Sequence, residues 1–186
     1  MTDLEIVERV LNGEIDAYNE VLVRYELPIY RFVFNIIKNE DVSKDVTQEV
    51  FITAYYKLHT FKKKFKLSSW LFQIAMNKSI DLIRKNKNYQ EVSIDDISIC
   101  NFSMSPEHFV EFKETKKMLE DFISTLSKVE QRILILRYSN NELTFNDMAT
   151  ILKINESTVK YKYYKIYKKY NKSVSSKKGD ASCYEL

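Results

Sequence analysis

Glycine and proline are scarce in this chain, which has only two of each among its 186 residues. The tight turns of hairpins, sandwiches and barrels depend on these two residue types, so their scarcity argues against an all-β fold. A glycine-rich phosphate-binding loop is excluded on the same ground, because two glycines could hardly form one. Hydrophobic residues nevertheless make up 45% of the chain. We therefore expect packed cores built from helices.

Cysteine and histidine are equally rare, with two residues of each. Cys100 and Cys183 lie far apart, and neither has a Cys or His at metal-ligand spacing. His59 and His108 have no carboxylate or cysteine partner at a recognisable motif spacing. We therefore expect free thiols, no metal, no cofactor and no intrinsic catalysis.

Long apolar runs are also missing. No stretch approaches the ~18 apolar residues of a membrane-spanning helix, so no membrane insertion is expected. The first residues, 1–5, are acidic and lack the basic and apolar regions of a signal peptide. Together these features predict a cytoplasmic protein.

The net charge is only +3, but the charges are unevenly distributed. Residues 57–87 contain nine Lys or Arg and one acidic residue, and residues 156–186 contain eight basic and three acidic residues. Residues 1–56 instead contain eleven acidic and five basic residues. Two basic segments separated by acidic sequence predict two nucleic-acid contacts and at least one surface for another partner.

Helical periodicity covers the first part of the chain. It predicts helices at 4–11 and 14–26, and Pro28 suits the start of the next helix. A further helix has an apolar stripe at every fourth position, formed by Val46, Val50, Ala54 and Leu58. The opposite side of that helix exposes Asp45, Gln48 and Glu49. The pattern alone indicates no more than a solvated face.

The segment from Phe61 to Lys87 is basic and contains the chain's single tryptophan, Trp70. Ser68 and Ser69 are possible caps of its helix, and the entry loop places Phe61 among lysines. Lysines that neutralise phosphates, beside aromatic rings that receive unstacked bases, suit nucleic acid. A solvated basic face over a buried Trp70 explains the composition equally well.

Residues 89–110 are polar and rich in Ser and Asp, without sustained periodicity. This predicts an all-α chain with helical domains at 1–88 and 111–170, a flexible linker at 89–110 and a frayed polar tail at 171–186.

The second domain has the pattern of a helix-turn-helix. Ser127 can cap a helix with four residues that we expect to be buried, and Thr144 with Asp147 resembles a capping box before the short helix 145–152. The four are Ile133, Leu134, Leu136 and Tyr138. A tight connection then leads to a basic helix that begins at Glu156. The second helix of such a pair fits a major groove, although an ordinary helical hairpin can imitate the pattern.

Several motifs resemble bacterial sigma factors of the extracytoplasmic-function (ECF) group. The sequence at 45–51, Phe61, and the stretches 70–77 and 81–84 look like conserved region 2 of that family. The stretches 126–138, 143–149 and 156–160 look like region 4, in the right order and with a linker between. The resemblance implies a region 2 helical bundle, a region 4 helix-turn-helix and a role in promoter-specific transcription initiation.

The resemblance also assigns roles to residues. Core RNA polymerase would bind Asp45, Gln48 and Glu49. The −10 promoter element would contact Phe61, Lys62, Lys63, Lys64, Ser69, Trp70, Asn77, Lys78, Arg84 and Lys85. The −35 element would contact Ser157, Thr158, Lys160, Tyr161, Lys162 and Lys165. A region 4 surface near Leu134 and Leu136 would meet the polymerase flap, and an anti-sigma factor is a further expected partner.

Some positions depart from the family pattern. Ser43 and Lys44 replace an acidic pair before Asp45, and Lys162 replaces an expected Arg, which weakens any bidentate guanine contact. Two other classes of function stay open at this point. One is a stand-alone helix-turn-helix regulator that binds duplex DNA without polymerase, and the other is a helical interaction protein.

Overall fold

The computed structural model describes residues 1–85, 117–140 and 142–180, with side chains described as far as Ser173. Every regular element in these ranges is a helix, which confirms the all-α prediction. The predicted linker at 89–110, Cys100, Cys183 and His108 lie outside the described residues. No helix in the described ranges is long and apolar enough to cross a membrane.

The first domain contains α1 (Asp3–Leu11), α2 (Tyr18–Ile37), α3 (Glu40–Lys57) and α4 (Leu67–Lys85). Short 3-10 helices at Ile15–Ala17 and Leu58–Thr60 connect some of them. Helices α2, α3 and α4 pack against one another around fully buried side chains such as Ile29, Phe32 and Phe72. The rings of Phe32 and Phe72 meet edge-on with centroids 5.1 Å apart, so α2 and α4 are held by direct aromatic packing.

The expectation that Pro28 starts a helix is wrong, because α2 runs unbroken through it. Proline lacks the N–H that would bond to the carbonyl four residues earlier, which costs helix stability. Tyr25 and Ile29 are both buried on the core-facing side of α2. Burial of these side chains on either side of Pro28 outweighs the missing hydrogen bond.

Ser68 and Ser69 do not cap α4, which begins at Leu67 and buries both serines. Leu67 and Leu71 are also buried, one turn apart. The helix therefore begins two to three residues earlier than a cap at Ser68 or Ser69 predicts, at a position where Leu67 can enter the core.

The second domain contains a helix described over 117–124 (α5), followed by α6 (Lys128–Ser139), α7 (Phe145–Leu152) and α8 (Glu156–Asp180). The predicted caps are confirmed. Ser127 and Glu130 form a capping box at α6, and Thr144 and Asp147 form one at α7. The bounds of α7 and the first residue of α8 are those that the sequence predicts.

Three expectations for this domain are wrong. Tyr138 is 82% exposed, because it lies away from the core-facing positions Ile133 and Leu136. Leu136 is fully buried, so it offers no surface to a partner. Helix α8 continues to Asp180, so residues 171–180 extend a helix instead of fraying.

The two domains pack together. Helix α7 lies against α4, and α6 lies against α2. Their buried residues form one continuous hydrophobic cluster. Lys66 Nζ donates to Asp147 Oδ2 at 3.1 Å and to the Glu142 carbonyl at 3.2 Å. These contacts place the first turn of α7 beside the loop that precedes α4.

Candidate nucleic-acid interface

The outer face of α3 is polar and accessible. Asp45, Gln48 and Glu49 are exposed, whereas Val46 and Val50 on the other side are buried. Helical periodicity produces this division, because residues three and four positions apart share a face. The structure therefore brings the three predicted polymerase-binding residues together on one surface.

An apolar groove between α2 and α3 adjoins this face. It has a cavity volume of about 710 Å³, and Gln48 lies on its wall. Leu27 and Ile52 also line it and are 53% and 57% exposed. Sequence reasoning missed both residues. The available signal was that each is a large aliphatic side chain outside the core-facing stripe of its helix.

Ser43 and Lys44, which depart from the family pattern next to this face, both form contacts within α3. The Ser43 hydroxyl is buried and donates to the Asn39 carbonyl at 2.5 Å. Lys44 pairs with Glu40 at 2.7 Å. The hydrogen bond and ion pair with Glu40 raise the pKa of Lys44 and lower that of Glu40. The basic residue before Asp45 is thereby partly neutralised within the helix.

The loop before α4 separates its two phenylalanines. Phe61 is buried and packs on Trp70 with ring centroids 5.5 Å apart, so it has little surface for a base. Phe65, which sequence reasoning missed, is 47% exposed, with Lys64 Nζ 5.0 Å from its ring centroid. Its position within the lysine run was the available signal. The accessible aromatic ring of this loop is therefore Phe65.

The remaining predicted −10 residues differ in accessibility. Lys62, Asn77, Arg84 and Lys85 are exposed, Trp70 is half-buried, and Ser69 is buried. Lys63 pairs with Glu8 at 2.6 Å. Lys78 pairs with Glu49 at 3.0 Å. Two of the predicted phosphate-binding lysines are therefore held by carboxylates of neighbouring helices.

Helices α7 and α8 form the helix-turn-helix. The connection is tight because Lys153 adopts a left-handed conformation (φ 56°) and Ile154 N–H donates to the Ala149 carbonyl at 3.1 Å. Val159 and Ile166 are buried and fix the inner side of α8. This leaves the first turns of α8 accessible.

The predicted −35 residues line up along the first three turns of α8. Ser157, Lys160, Tyr161 and Lys165 are exposed, and Thr158 and Lys162 are half-buried. Lys160 pairs with Glu156 at 2.7 Å, which raises the pKa of Lys160. Tyr164 and Tyr167 are each 61% exposed and were left unassigned by sequence reasoning. Their position among lysines was the only sequence feature that indicated an accessible surface here.

Two carboxylates stabilise the frame of this domain. Burial tends to raise the pKa of Asp147, but hydrogen bonds from Thr144 and Lys66 outweigh it and lower that pKa. Burial likewise opposes the hydrogen bonds from Ser127 that lower the pKa of Glu130. Both carboxylates are thereby favoured in their charged forms where they cap helices.

Comparison with known proteins gives a consistent picture. The family model described as Sigma-70 region 2 matches residues 22–89. A second model, described only as a protein of unknown function, matches residues 62–172. Among solved structures, CnrH in complex with the cytosolic domain of CnrY has a TM-score of 0.66 at 16% identity, over 94% of this chain and 97% of that one. RpoE of Bartonella quintana, in complex with the anti-sigma factor NepR, has a TM-score of 0.61 at 19% identity, over 81% and 92%. These two likenesses concern the fold.

Curated relatives extend over most of the chain. ECF RNA polymerase sigma factor SigM of Bacillus subtilis is 33% identical over 144 residues, which are 76% of this chain and 85% of SigM. SigW of the same organism is 29% identical over 83% of this chain and 87% of its own length. The sigma-E factor of Escherichia coli K12 is 27% identical over 89% and 90%. The chain therefore belongs to the ECF sigma factors, the RNA polymerase subunits that direct promoter-specific transcription initiation.

Proposed function

We propose that the two domains divide promoter recognition between them. Residues 1–88 would act as region 2, which binds core RNA polymerase and opens the −10 element, and residues 111–170 would act as region 4, which reads the −35 element. The observation that carries this proposal is the arrangement of the first domain. The exposed acidic face of α3 lies beside the basic face of α4, and the Lys78–Glu49 ion pair joins the two.

Core polymerase would bind Asp45, Gln48 and Glu49. The adjoining apolar groove offers Leu27 and Ile52 to the same partner, and burying such side chains supplies most of the free energy of an interface. The three polar residues would set the orientation of docking through hydrogen bonds and charge. Leu136 is buried and does not contribute to a flap contact, which leaves Leu134 as the accessible aliphatic residue there.

The −10 strand would follow the exposed cations of the loop and α4. Lys62, Arg84 and Lys85 would hold phosphates, and Asn77 can hydrogen-bond a base edge. Phe65 would stack on an unstacked base, which offsets part of the cost of extruding that base, since stacking on an aromatic ring contributes about 1–3 kcal/mol. Phe61, Ser69 and Trp70 would shape the wall of this site from within the fold.

Helix α8 would enter the major groove at the −35 element. Ser157, Lys160, Tyr161 and Lys165 project from its first turns, where a recognition helix meets base edges. Lys160 is paired with Glu156 in the free protein, so binding DNA requires that ion pair to be exchanged for a phosphate. Lys162 is half-buried and suits a backbone contact.

These roles place the protein in the cytoplasm with the polymerase. These roles require no catalytic residue in this protein, because the polymerase performs the phosphodiester chemistry. No group of three or more His, Cys, Asp or Glu within the described ranges could hold a metal ion. An anti-sigma factor is a further proposed partner, since RpoE of Bartonella quintana was solved with one.

The test is reconstitution with core polymerase on promoters of the source genome. Wild-type protein is expected to give start-site-specific transcripts. Asp45→Asn with Gln48→Ala should reduce core binding in pull-down, whereas Asp121→Asn, an exposed carboxylate on α5, should not. Sequence-specific duplex binding by the free protein, together with transcription that is unchanged by it, would instead establish a stand-alone regulator.

A further inference from the structure

A second cavity lies between the two domains, distinct from the apolar groove between α2 and α3. It has a volume of about 640 Å³ and is walled by α3 and α4 on one side and by α6 and α7 on the other. Binding sites for small molecules measure roughly 300–1,000 Å³ and occur preferentially where domains meet. The cavity therefore has the size and the position of a ligand site.

Its lining is strongly cationic. Five basic side chains contribute: Lys57, Lys78 and Arg84 from the first domain, and Arg132 and Lys153 from the second. Asp81 is the only acidic residue in the lining, and it is 3.9 Å from Arg84. Lys78 is paired with Glu49. Even with both pairs in place, an excess of positive charge faces the cavity.

Arg132 is the least exposed of the cavity cations that have no ion-pair partner in the described ranges. It is half-buried on α6, and it has no carboxylate partner among the residues that the structure describes. Burial lowers the pKa of Arg132, and repulsion from Arg84 across the domain boundary lowers it further. A guanidinium that is partly removed from water beside another guanidinium is stabilised by an anion between them.

The cavity also has an apolar side. Ile74 and Ile80 on α4 and Ile151 and Leu152 on α7 contribute to the lining. Apolar walls with a few convergent charges are typical of sites that bind a flat organic group together with its phosphates. Neither inorganic phosphate nor a nucleic-acid backbone needs such an apolar wall.

We propose that this interdomain cavity binds a nucleotide, with its phosphates between Arg132 and the cations of the first domain and its base against Ile74 and Ile80. Because the phosphates contact both domains, the ligand stabilises the packed arrangement of α4 against α7. Arg132 fits the forked geometry that binds phosphate oxygens through two parallel hydrogen bonds.

The site has a consequence for DNA binding, and that consequence rests on the proposed function. Asn77, Lys78 and Arg84 line the cavity and also belong to the proposed −10 surface. A bound nucleotide and the −10 strand therefore compete for the same side chains. Nucleotide binding itself can be measured without DNA or polymerase, so its failure is distinguishable from failure of the promoter role.

The experiment is calorimetric titration of the full-length protein with ATP and, separately, with sodium triphosphate at constant ionic strength. ATP is expected to bind more tightly than triphosphate, because only ATP uses the apolar wall. Arg132→Gln and Lys57→Gln should each weaken ATP binding about tenfold, since they lie on opposite domains. Arg31→Gln, an exposed arginine of α2 outside the cavity, should leave it unchanged.

Three results would overturn the proposal. The first is equal affinity of wild type and both cavity variants for ATP, with circular dichroism showing that all are folded. The second is equal affinity for ATP, triphosphate and sulfate, which indicates non-specific attraction. The third is a single-stranded oligonucleotide that binds far more tightly than ATP and loses the same tenfold in Arg132→Gln, which makes the cavity part of the DNA path. If Arg132→Gln does not fold, Lys57→Gln alone decides.

Discussion

Glu49 and Lys78 form an ion pair between α3 and α4, with Glu49 Oε2 3.0 Å from Lys78 Nζ. The two residues belong to different proposed surfaces, since we propose that Glu49 contacts core polymerase and that Lys78 contacts the −10 strand. In the free protein each side chain therefore neutralises the charge with which the other would bind polymerase or DNA. If polymerase binds Glu49 as proposed, we expect Lys78 to become available to a phosphate.

Glu49→Gln should therefore affect the two partners in opposite directions. Core polymerase affinity falls because a docking charge is lost. Affinity of the free protein for a single-stranded −10 oligonucleotide should rise by up to about fivefold, because an accessible ion pair is worth roughly 0.2–1 kcal/mol. Fluorescence anisotropy of the oligonucleotide and pull-down of core polymerase measure the two effects.

Asp45→Asn is the matched control for Glu49→Gln. Asp45 is exposed on the same face and has no ion-pair partner within the described residues. It should lower polymerase affinity and leave oligonucleotide affinity unchanged. A parallel rise in oligonucleotide affinity in both variants would indicate a general charge effect instead of release of Lys78.

The two phenylalanines of the loop should differ when each is replaced by alanine. Phe61→Ala should lower the free energy of unfolding by about 3–5 kcal/mol, because it leaves a cavity beneath Trp70. Phe65→Ala should change stability by less than about 0.5 kcal/mol, because its ring is accessible. Urea denaturation measures both changes.

Phe65 should instead matter for promoter opening, although it contributes little to stability. Phe65→Ala should slow open-complex formation by about tenfold, since it removes one stacking contact of about 1–3 kcal/mol. Phe65→Tyr retains the stacking ring and should restore the rate. Permanganate reactivity of promoter thymines reports opening, and normal opening by Phe65→Ala would refute its stacking role.

The domain contact supplies a further prediction. Thr144→Ala removes the cap of α7 and should lower the free energy of unfolding by about 1 kcal/mol. Lys66→Gln removes the ion pair with Asp147 and the hydrogen bond to the Glu142 carbonyl. It should cost less than about 1 kcal/mol, because Lys66 is half exposed. Lys66→Gln, but not Thr144→Ala, should enlarge the radius of gyration in small-angle X-ray scattering. If both variants have the radius of gyration of wild type, the apolar contacts suffice to hold the domains together.

Glu130 should make stability depend on pH. Its folded-state pKa lies below the ordinary value of 4.5 because hydrogen bonds from Ser127 outweigh burial. Above about pH 4.5 the charged carboxylate therefore stabilises the fold, and this contribution is lost as pH falls through the lowered folded-state pKa. Glu130→Gln should melt at a lower temperature than wild type at pH 7, and the difference should narrow below pH 4.5.

Calorimetry from pH 3 to 7 measures this narrowing. Asp121→Asn, at an exposed position on α5, controls for the change in net charge. A constant difference between Glu130→Gln and wild type across that range would show that the capping interaction does not depend on ionisation.

Local interactions were predictable from the sequence, and contacts between distant residues were not. The capping boxes at Ser127 and Thr144 each involve residues three positions apart, so a short pattern contains all the information. Pro28 was misinterpreted because the burial that carries α2 through it depends on packing against other helices. Lys66 and Asp147 lie 81 positions apart, and no periodicity relates them.

The site followed the same division. The polar face of α3 follows from helical spacing alone, whereas the residues of α8 were assigned by the family resemblance. The burial of Phe61 and the accessibility of Phe65 could not be predicted, because both are lysine-flanked aromatics and only the position of Trp70 separates them. The interdomain cavity could not be predicted from the sequence, because its walls come from both domains and depend on how these pack together.

Trp70 is the only tryptophan in the chain, and it lies half-buried on the ring of Phe61 at the base of the loop. Its indole emission therefore comes from one known place and needs no attached dye. If the loop rearranges around a captured base as proposed, the polarity around that indole changes, and strand capture should be measurable as a shift in intrinsic fluorescence. The protein carries its own optical probe at the point where the promoter is expected to open.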